Sequence, residues 1–204
     1  MSKELEAARA LVKMLEEREQ SNKVKLESLK AGETFCIGEN DYIVLEQHEG
    51  KTKAISKDFI AKHKKFADDT ADYETSELRK YTEAEIQPTI EEEVGAENLV
   101  EHTVSLTTVD GQDDYGELTC KVRPLTFDEA RQYNNLIVSS DDDSRIEGYW
   151  TCTAWSVPRR SGEDRGDFVA SVTYNGMIGE SNSWDCYDVR LVCILKSDIN
   201  VRID

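Results

Sequence analysis

The stretch that decides the fold is Tyr149–Leu195, YWTCTAWSVPRRSGEDRGDFVASVTYNGMIGESNSWDCYDVRLVCIL. Short apolar runs alternate there with polar linkers, and this pattern predicts strands at Tyr149–Ala154 and Phe168–Tyr174. Asn175–Gly176 is typical of a two-residue hairpin turn, because both residue types accept a positive φ. Asp188–Leu195 is largely apolar and predicts a buried closing strand. The stretch therefore predicts a β-rich C-terminal unit.

The same stretch is rich in aromatic residues. It contains all three Trp and seven of the sixteen aromatic residues of the chain. Ser, Asn, Asp, Gly and Arg lie between them, and this composition is typical of binding surfaces that combine rigid contact area with adaptable hydrogen bonds. The aromatic residues form either a recognition surface or the core of a β-rich domain. The solvent exposure of their rings distinguishes the two interpretations.

The charge of the chain excludes some classes of partner. The formal net charge is −17, and residues 145–190, with five basic and seven acidic side chains, account for only −2 of it. A polyanionic chain repels phosphate backbones and anionic membrane surfaces. No apolar run approaches the ~20 residues of a membrane span, and the first residues lack the apolar core of a secretory signal. We therefore expect synthesis in the cytoplasm, no nucleic-acid partner and no membrane insertion.

Residues 2–29 predict a helix, because they are rich in Glu, Lys, Leu and Ala and lack Gly and Pro. Apolar residues recur there at a 3-4 spacing around a polar middle. The apolar positions are Leu5, Ala8, Val12, Leu15, Leu26 and Leu29. The helix either forms a coiled coil that joins copies of the chain into a homo-oligomer or packs on its own domain. We predict a helical oligomerisation segment at residues 1–30 and a domain at residues 31–204, whose region 149–195 binds a ligand.

The middle of the chain predicts short strands mixed with short helices. Strand patterns occur at Phe35–Leu45 around an Asn40–Asp41 turn, and at Lys53–Ser56, Val100–Val109 and Glu117–Val122. Helix patterns occur at Ser56–Lys65 and Thr75–Tyr81, and capping boxes at Thr82–Glu85, Thr89–Glu92 and Thr126–Glu129. Gly95 predicts a helix end. The predicted fold class is α+β.

Patterns that indicate catalysis or metal binding are missing from the sequence. His48, His63 and His102 are far apart and have no metal-ligand spacing. No nucleophile elbow, phosphate-binding loop or dinucleotide fingerprint occurs. The five Cys form no C-x-x-C motif, although Cys186 and Cys193 are close enough in sequence to meet. We expect no enzymatic activity, no cofactor and no bound metal.

A series of motifs runs from Leu29 to Leu195, and their order is more specific than any one of them. The motif residues are Gly32, Phe35 and Gly38; Ser76, Leu78 and Arg79; Leu125–Ala130; Tyr149–Thr153; Val172–Gly176; and Val189–Val192. In this order they resemble a domain family common in phages and gut bacteria, which is similar to the bacterial branch of the C-type lectin fold. The chain departs from the family pattern at Cys152 and Leu191, where Arg and Pro are common, and Glu91–Gln112 resembles an insertion.

The resemblance implies a C-type lectin-like fold whose C-terminal strands and loops form the ligand face. The same branch includes the variable proteins of diversity-generating retroelements, in which mutated template adenines scatter Asn, Tyr, Ser and Asp codons through the C-terminal region. The stretch between Trp155 and Asp188 is similar to such a region. The ligand-binding residues would be Trp155, Ser156, Arg159, Arg160, Asp164, Tyr174, Asn175, Ser181, Asn182, Trp184, Asp185 and Tyr187.

The resemblance implies one leading function and leaves two alternatives. The leading function is a phage or prophage receptor-binding or tropism-type variable protein, associated with the virion or the cell surface, that binds a protein or cell-surface ligand. The first alternative is a phage structural or assembly protein whose C-terminal aromatic residues all lie in the core. The second is an enzyme of the formylglycine-generating type. That activity requires paired metal-binding cysteines, a role that is not carried over to Cys186 and Cys193.

Overall fold

The computed structural model describes residues 5, 9, 22–138, 148–158, 166–173 and 175–203, and it confirms an α+β fold in which strands predominate. The strands are β1 (Lys23–Lys25), β2 (Thr34–Ile37), β3 (Asn40–His48), β4 (Lys51–Ser56), β5 (Ala61–Lys65), β6 (His102–Ser105), β7 (Glu117–Cys120), β8 (Val122–Arg123), β9 (Gly148–Ala154), β10 (Phe168–Thr173), β11 (Ile178–Asn182), β12 (Cys186–Val189), β13 (Val192–Lys196) and β14 (Asn200–Arg202). The helices are α1 (Glu77–Tyr81), α2 (Gln87–Val94), α3 (Phe127–Gln132) and α4 (Asn134–Ile137).

The strands form three sheets in the part of the chain that the structure describes. Seven strands pair in the order β1-β14-β2-β3-β4-β13-β8, and five pair in the order β11-β10-β9-β12-β5. In the five-stranded sheet β12 runs parallel to β9, and the other neighbours are antiparallel. The hairpin of β6 and β7 is the third sheet. The first and last strands of the domain, β1 and β14, lie next to each other.

Trp150 anchors the main hydrophobic core, which contains side chains from both large sheets. Its side chain is fully buried, and its ring lies 5.6 Å from the ring of Phe66 and 4.7 Å from that of Tyr187. Its indole Nε1 donates a hydrogen bond to the carbonyl of Lys64 at 2.7 Å. A buried Trp needs such an acceptor, so this contact ties the fifth strand to the core.

The predicted N-terminal helix is wrong over residues 23–29. These residues form β1 and a 3₁₀ turn at Leu26–Ser28, and β1 pairs with β14. Leu26 is fully buried and Leu29 packs against the same core. Both residues therefore stabilise the domain and do not extend a coiled coil. Leu5 and Arg9 are helical, and the other residues of 1–21 lie outside the described part of the chain.

The helix predicted at Ser56–Lys65 is also wrong. Ala61–Lys65 form β5, which pairs antiparallel with β12. Lys and Ala favour a helix in isolation, but pairing with a neighbouring strand and burial of Ala61 override that local preference.

A helical run extends from Glu77 to Val94, because a π-helical segment joins α1 to α2. Ser76 caps its start. Thr82 and Thr89 lie inside the run, and their hydroxyls donate to backbone carbonyls one turn earlier, so the capping boxes predicted there are wrong. The predicted end is confirmed, because Gly95 stops the helix with φ of +84°.

Three other predicted features are confirmed. The capping box at Thr126–Glu129 is present with both of its hydrogen bonds and starts α3. The β2–β3 hairpin forms, although its turn lies at Gly38 and Glu39 and not at Asn40–Asp41. β6 and β7 lie within the strand patterns predicted at Val100–Val109 and Glu117–Val122, and they pair with each other.

The C-terminal stretch contains the predicted strands, but its closing strand is split. β12 ends at Val189 in the five-stranded sheet, and β13 begins at Val192 in the seven-stranded sheet. Between them Arg190 is buried, with Nε donating to the carbonyl of Ser56 and Nη1 to that of Ile137, both at 2.8 Å. One apolar run therefore supplies a strand to each sheet.

Candidate functional site

One end of the five-stranded sheet gathers several of the predicted ligand-binding residues. Trp155 follows β9, Asp167 precedes β10 and Trp184 follows β11. The N–H of Trp155 donates to the carbonyl of Phe168, and the N–H of Ser183 to that of Asp167, both at 2.8 Å. These bonds join the three strand ends. We call residues 154–158, 166–168 and 182–185 the tryptophan end.

Trp184 is the most exposed aromatic side chain of the tryptophan end. It lies in the tight turn Asn182–Asp185, and 46% of its surface is exposed. The N–H of Asp185 donates to the carbonyl of Asn182 at 3.0 Å, and the Asn182 amide donates to the Asp185 carboxylate at 3.3 Å. The carbonyl of Ser183 accepts from the N–H groups of residues 66 and 67. The exposed indole is thus held on a turn that is fixed from both sides.

Trp155 and Ser156 lie beside this turn with different environments. Trp155 is half-buried, and Ser156 is buried with its hydroxyl donating to the Asp110 carboxylate at 2.8 Å. The N–H of Val109 donates to the carbonyl of Ala154 at 3.0 Å, so the β6–β7 connection packs on the same end. Ser156 therefore holds a loop in place, whereas Trp155 is only partly covered.

Two other predicted residues have contacts inside the fold. Ser181 is buried, and its hydroxyl shares a hydrogen bond with that of Ser171 at 2.9 Å. Tyr187 is half-buried against Trp150, and its backbone pairs with Lys64. These contacts favour structural roles for both side chains.

Asn175 lies at the opposite end of the sheet from Trp184. It occupies the β10–β11 turn, where its side chain accepts a hydrogen bond from the hydroxyl of Thr173 at 2.6 Å. The next residue, Gly176, has φ of +81° and lies so close to Val138 that a Cβ there would come within 2.4 Å of it. The five residues of β11 separate the two ends by about 13 Å. The structure therefore does not bring Asn175 and Trp184 into one small site.

Four predicted ligand-binding residues fall outside the described residues. They are Arg159, Arg160, Asp164 and Tyr174. Their assignment stays a prediction.

Sequence reasoning missed an acidic group near the tryptophan end. Burial, followed by the charges of Asp72, Asp167 and Asp114, raises the pKa of Tyr115 to about 12. Burial, followed by the charge of Asp69, raises the pKa of Asp167. These residues come from separate parts of the sequence, and acidic residues are too frequent in the chain for composition to identify them.

A second cluster of titratable side chains joins α3 to the seven-stranded sheet. Arg123 is buried and makes a bidentate pair with Glu129 at 2.6 and 2.8 Å, and its Nε donates to Nε2 of His102 at 3.2 Å. Burial opposes ionisation of Glu129, but the hydrogen bonds and charge of Arg123 lower the pKa of the carboxyl group to about 2. Burial and then the charge of Arg123 lower the pKa of His102 to about 4. The contacts of this cluster lie within the fold, so its role is structural.

The cysteines and acidic residues show no metal-binding arrangement in the described parts of the chain. The five Cys all lie in the described residues and none of them is in a disulfide, so Cys186 and Cys193 do not pair. Cys186 is exposed, whereas burial of Cys193 raises the pKa of its thiol to about 12. A thiolate is the form that binds metal or attacks a substrate. Among the same residues, no helix is long and apolar enough to cross a membrane.

The chain matches no family model, no curated protein and no solved structure.

Proposed function

We propose that the protein binds a protein or cell-surface ligand through its tryptophan end. The observation that carries the proposal is Trp184, a large aromatic side chain that is 46% exposed on an anchored turn. Exposed aromatic residues held rigidly on a surface are the usual anchors of an interface, since they bury much area and lose little conformational entropy. The half-buried ring of Trp155 extends the same surface.

The proposal extends to a phage or prophage receptor-binding or tropism-type variable protein with a C-type lectin-like fold. The motif order in the sequence supports this class. Its diversified positions must tolerate many side chains, so they belong on exposed turns and not in the core. Of the described candidates, Asn175 and Trp184 are exposed in turns, and Trp155, Asn182 and Asp185 are half-buried at strand ends or turns, so these five meet that condition. Ser156 and Ser181 do not, because both are buried and hydrogen-bonded.

The proposal also includes a homo-oligomer, formed by residues that precede Asn22. The 3-4 spacing of apolar residues in this segment supports the proposal, and Leu5, one of these positions, is helical and 44% exposed. Several copies of a weak site on one assembly raise the overall affinity through effective concentration.

Binding of the labelled full-length protein to a panel of intact bacterial cells tests the proposal. Trp184→Ala should weaken binding to the cells that bind wild type by about 2 kcal/mol or more. Met177→Ala is the matched control, because Met177 is 65% exposed at the opposite end of the sheet. Wild type that binds no cell, or equal losses in the two variants, would contradict a site at the tryptophan end.

The variable-protein part of the proposal has its own test in the surrounding DNA. We expect a reverse transcriptase gene and a near-copy of the codons for residues 150–195, with differences at template adenines. A locus without these features would remove diversification from the proposal and leave the binding site itself in place.

A further inference from the structure

The two edge strands of the five-stranded sheet differ in how they are protected. β5, at one edge, contains Lys62, Lys64 and Lys65, and its register with β12 is shifted by a bulge. Lysines and bulges keep an edge strand from pairing with another chain. β11, at the other edge, has the sequence IGESN and pairs with β10 over five consecutive residue pairs. It therefore has no lysine, no proline and no bulge.

The outer side of β11 presents backbone hydrogen-bonding groups. The N–H of Thr173 donates to the carbonyl of Met177 at 2.8 Å, so these two residues form a hydrogen-bonded pair. Because bonded and non-bonded pairs alternate in an antiparallel ladder, the N–H and C=O groups of Ile178 and Glu180 point away from β10. Within the part of the chain that the structure describes, no strand pairs with β11 on that side. An added strand would find two donors and two acceptors there.

Gly179 lies between these two residues, and the described residues give no reason for a glycine at this position. Its φ is not positive, and a Cβ added to it would meet open space to a distance of 4 Å. A glycine inside a strand costs stability and often marks a place where a ligand or another backbone comes close. An aromatic side chain on a neighbouring strand can cover such an edge glycine. The open space at Gly179 therefore suits a large side chain of an added strand.

Glu180 and Trp184 indicate the chemistry and the direction of that strand. Glu180 is exposed and is the only charged residue of β10 and β11, so a basic residue opposite it is favoured over an acidic one. β11 leads directly into the turn Asn182–Asp185, which carries Trp184. The N-terminal end of a segment that runs antiparallel to β11 would therefore extend towards the exposed indole.

We propose that the ligand of the tryptophan end is a protein whose extended segment adds an antiparallel strand to β11. The backbone of the segment would exchange hydrogen bonds with Ile178 and Glu180. A basic residue of the segment would lie opposite Glu180, and the large apolar residue after it would cover Gly179. The paired stretch ends at Ile178, short of the exposed Met177. This inference rests on the proposed function for the place of the ligand, but the strand edge can be tested by itself.

An NMR titration of the full chain with a short peptide tests the proposal. The peptide has a lysine followed by a phenylalanine in a background of threonine. The amides of Ile178 and Glu180 should exchange quickly with solvent in the free protein and slowly in the complex, because binding gives them acceptors. A peptide that is N-methylated at the lysine lacks the donor that pairs with Glu180, and it should bind about fivefold or more weakly.

Glu180→Pro and Glu180→Ala form a matched pair of variants. Both remove the carboxylate, but only proline removes the outward N–H, which the ladder with β10 does not use. Glu180→Pro should bind the peptide about fivefold or more weakly than Glu180→Ala does. If the proline variant does not fold, the N-methylated peptide on wild type measures the same residue pair from the other side.

Gly179→Val tests where the apolar residue of the segment lies. Replacing the phenylalanine of the peptide by alanine should weaken binding to wild type by about three- to fivefold. In Gly179→Val the valine occupies the open space, so the two peptides should bind within about twofold of each other. A preference for phenylalanine that persists unchanged in this variant would contradict a contact with Gly179.

Three other results would overturn the proposal. They are no binding of the phenylalanine peptide by wild type, unchanged exchange of the Ile178 and Glu180 amides in the complex, and equal binding of the N-methylated peptide. Slow exchange of these amides in the free protein that becomes fast on dilution would make the occupant a second copy of the chain, and the proposal of a foreign segment would fail.

Failure of this proposal and failure of the proposed function give different results. If Trp184→Ala weakens binding to cells but wild type does not bind the peptide, the tryptophan end stands and the added strand fails. If wild type binds the peptide along β11 but Trp184→Ala leaves binding to cells unchanged, the site at the tryptophan end fails and the strand edge stands as a separate peptide site.

Discussion

At the scale of single residues, Trp150 and Trp184 are of the same type but lie in opposite environments. Trp150 is enclosed by the rings of Phe66 and Tyr187, whereas nearly half of Trp184 faces solvent. Both lie in a stretch rich in aromatic and small polar residues, so composition does not separate them. The turn at Asn182–Asp185 separates them, because it carries Trp184 beyond the end of the sheet.

The two tryptophans should differ sharply in their contribution to stability. Trp150→Ala should lower the free energy of unfolding by about 3–5 kcal/mol, since it leaves a cavity in the core and removes the indole bond to Lys64. Trp184→Ala should change it by less than about 1 kcal/mol. Urea unfolding of both variants measures the difference. A similar loss in both would place Trp184 in the core.

His102 should make the free energy of unfolding depend on pH. Its pKa in the folded protein is about 4, below the ordinary value near 6.5. Between pH 4 and pH 6.5 the native state therefore binds fewer protons than the unfolded state. The neutral His102 ring contributes fully to the free energy of unfolding above pH 6.5. As the pH falls towards 4, at most about 3 kcal/mol of this contribution is lost. The free energy of unfolding of His102→Gln, measured against pH, should lack this component. If the unfolding free energy of the variant still falls between pH 6.5 and pH 4 as steeply as that of wild type, the pH dependence comes from other groups.

At the scale of elements, β1 decides where the domain begins. The apolar spacing of residues 2–29 fits one long helix, yet residues 23–25 pair with β14 and Leu26 enters the core. A helix and a strand followed by a turn can both bury Leu26 and Leu29. Only the presence of β14 as a hydrogen-bonding partner favours the strand.

Leu26→Ala distinguishes a core position from a coiled-coil position. As a core residue with no exposed surface, Leu26 should lose about 2–5 kcal/mol of unfolding free energy on truncation. The loss should be the same at different protein concentrations, because the contacts lie within one chain. Analytical ultracentrifugation should show an unchanged oligomeric state. A variant that dissociates without losing domain stability would restore the coiled-coil interpretation of residue 26.

At the scale of the whole molecule, the proposed oligomerisation segment and the domain meet near Asn22. The backbone carbonyl of Asn22 accepts from the N–H of Ile203, so the domain includes this residue. Deleting residues 1–21 should therefore yield a monomer with the unfolding free energy of the full chain. Light scattering and urea unfolding measure both properties. A dimer or trimer that persists after the deletion would contradict oligomerisation through the N-terminal segment.

The sequence by itself determined the features that depend on a few neighbouring residues. The capping box at Thr126–Glu129, the hairpin at Asn175–Gly176 and the strand at Tyr149–Ala154 follow from local hydrogen bonds, positive φ and alternation, and all three are present. The hairpin differs in one detail, because three residues and not two link Thr173 to Met177. The α+β class follows from the same local signals. At the candidate site, composition identified the stretch that contains Trp184, because exposed and buried aromatic residues both concentrate there.

Only the tertiary structure decided the features that depend on a distant partner. β5 is a strand because β12 lies beside it, and the run Asp188–Leu195 divides because its two halves pair with strands of different sheets. Arg190 lies at the division and donates to the carbonyls of Ser56 and Ile137. Other bonds between strands, from Trp155 to Phe168 and from Ser183 to Asp167, bring Trp155 and Trp184 to one end of a sheet, and the pairing of β10 with β11 leaves Asn175 at the other. Local sequence does not encode these pairings, because the free energy of strand pairing and burial depends on contacts between segments that are far apart in the chain.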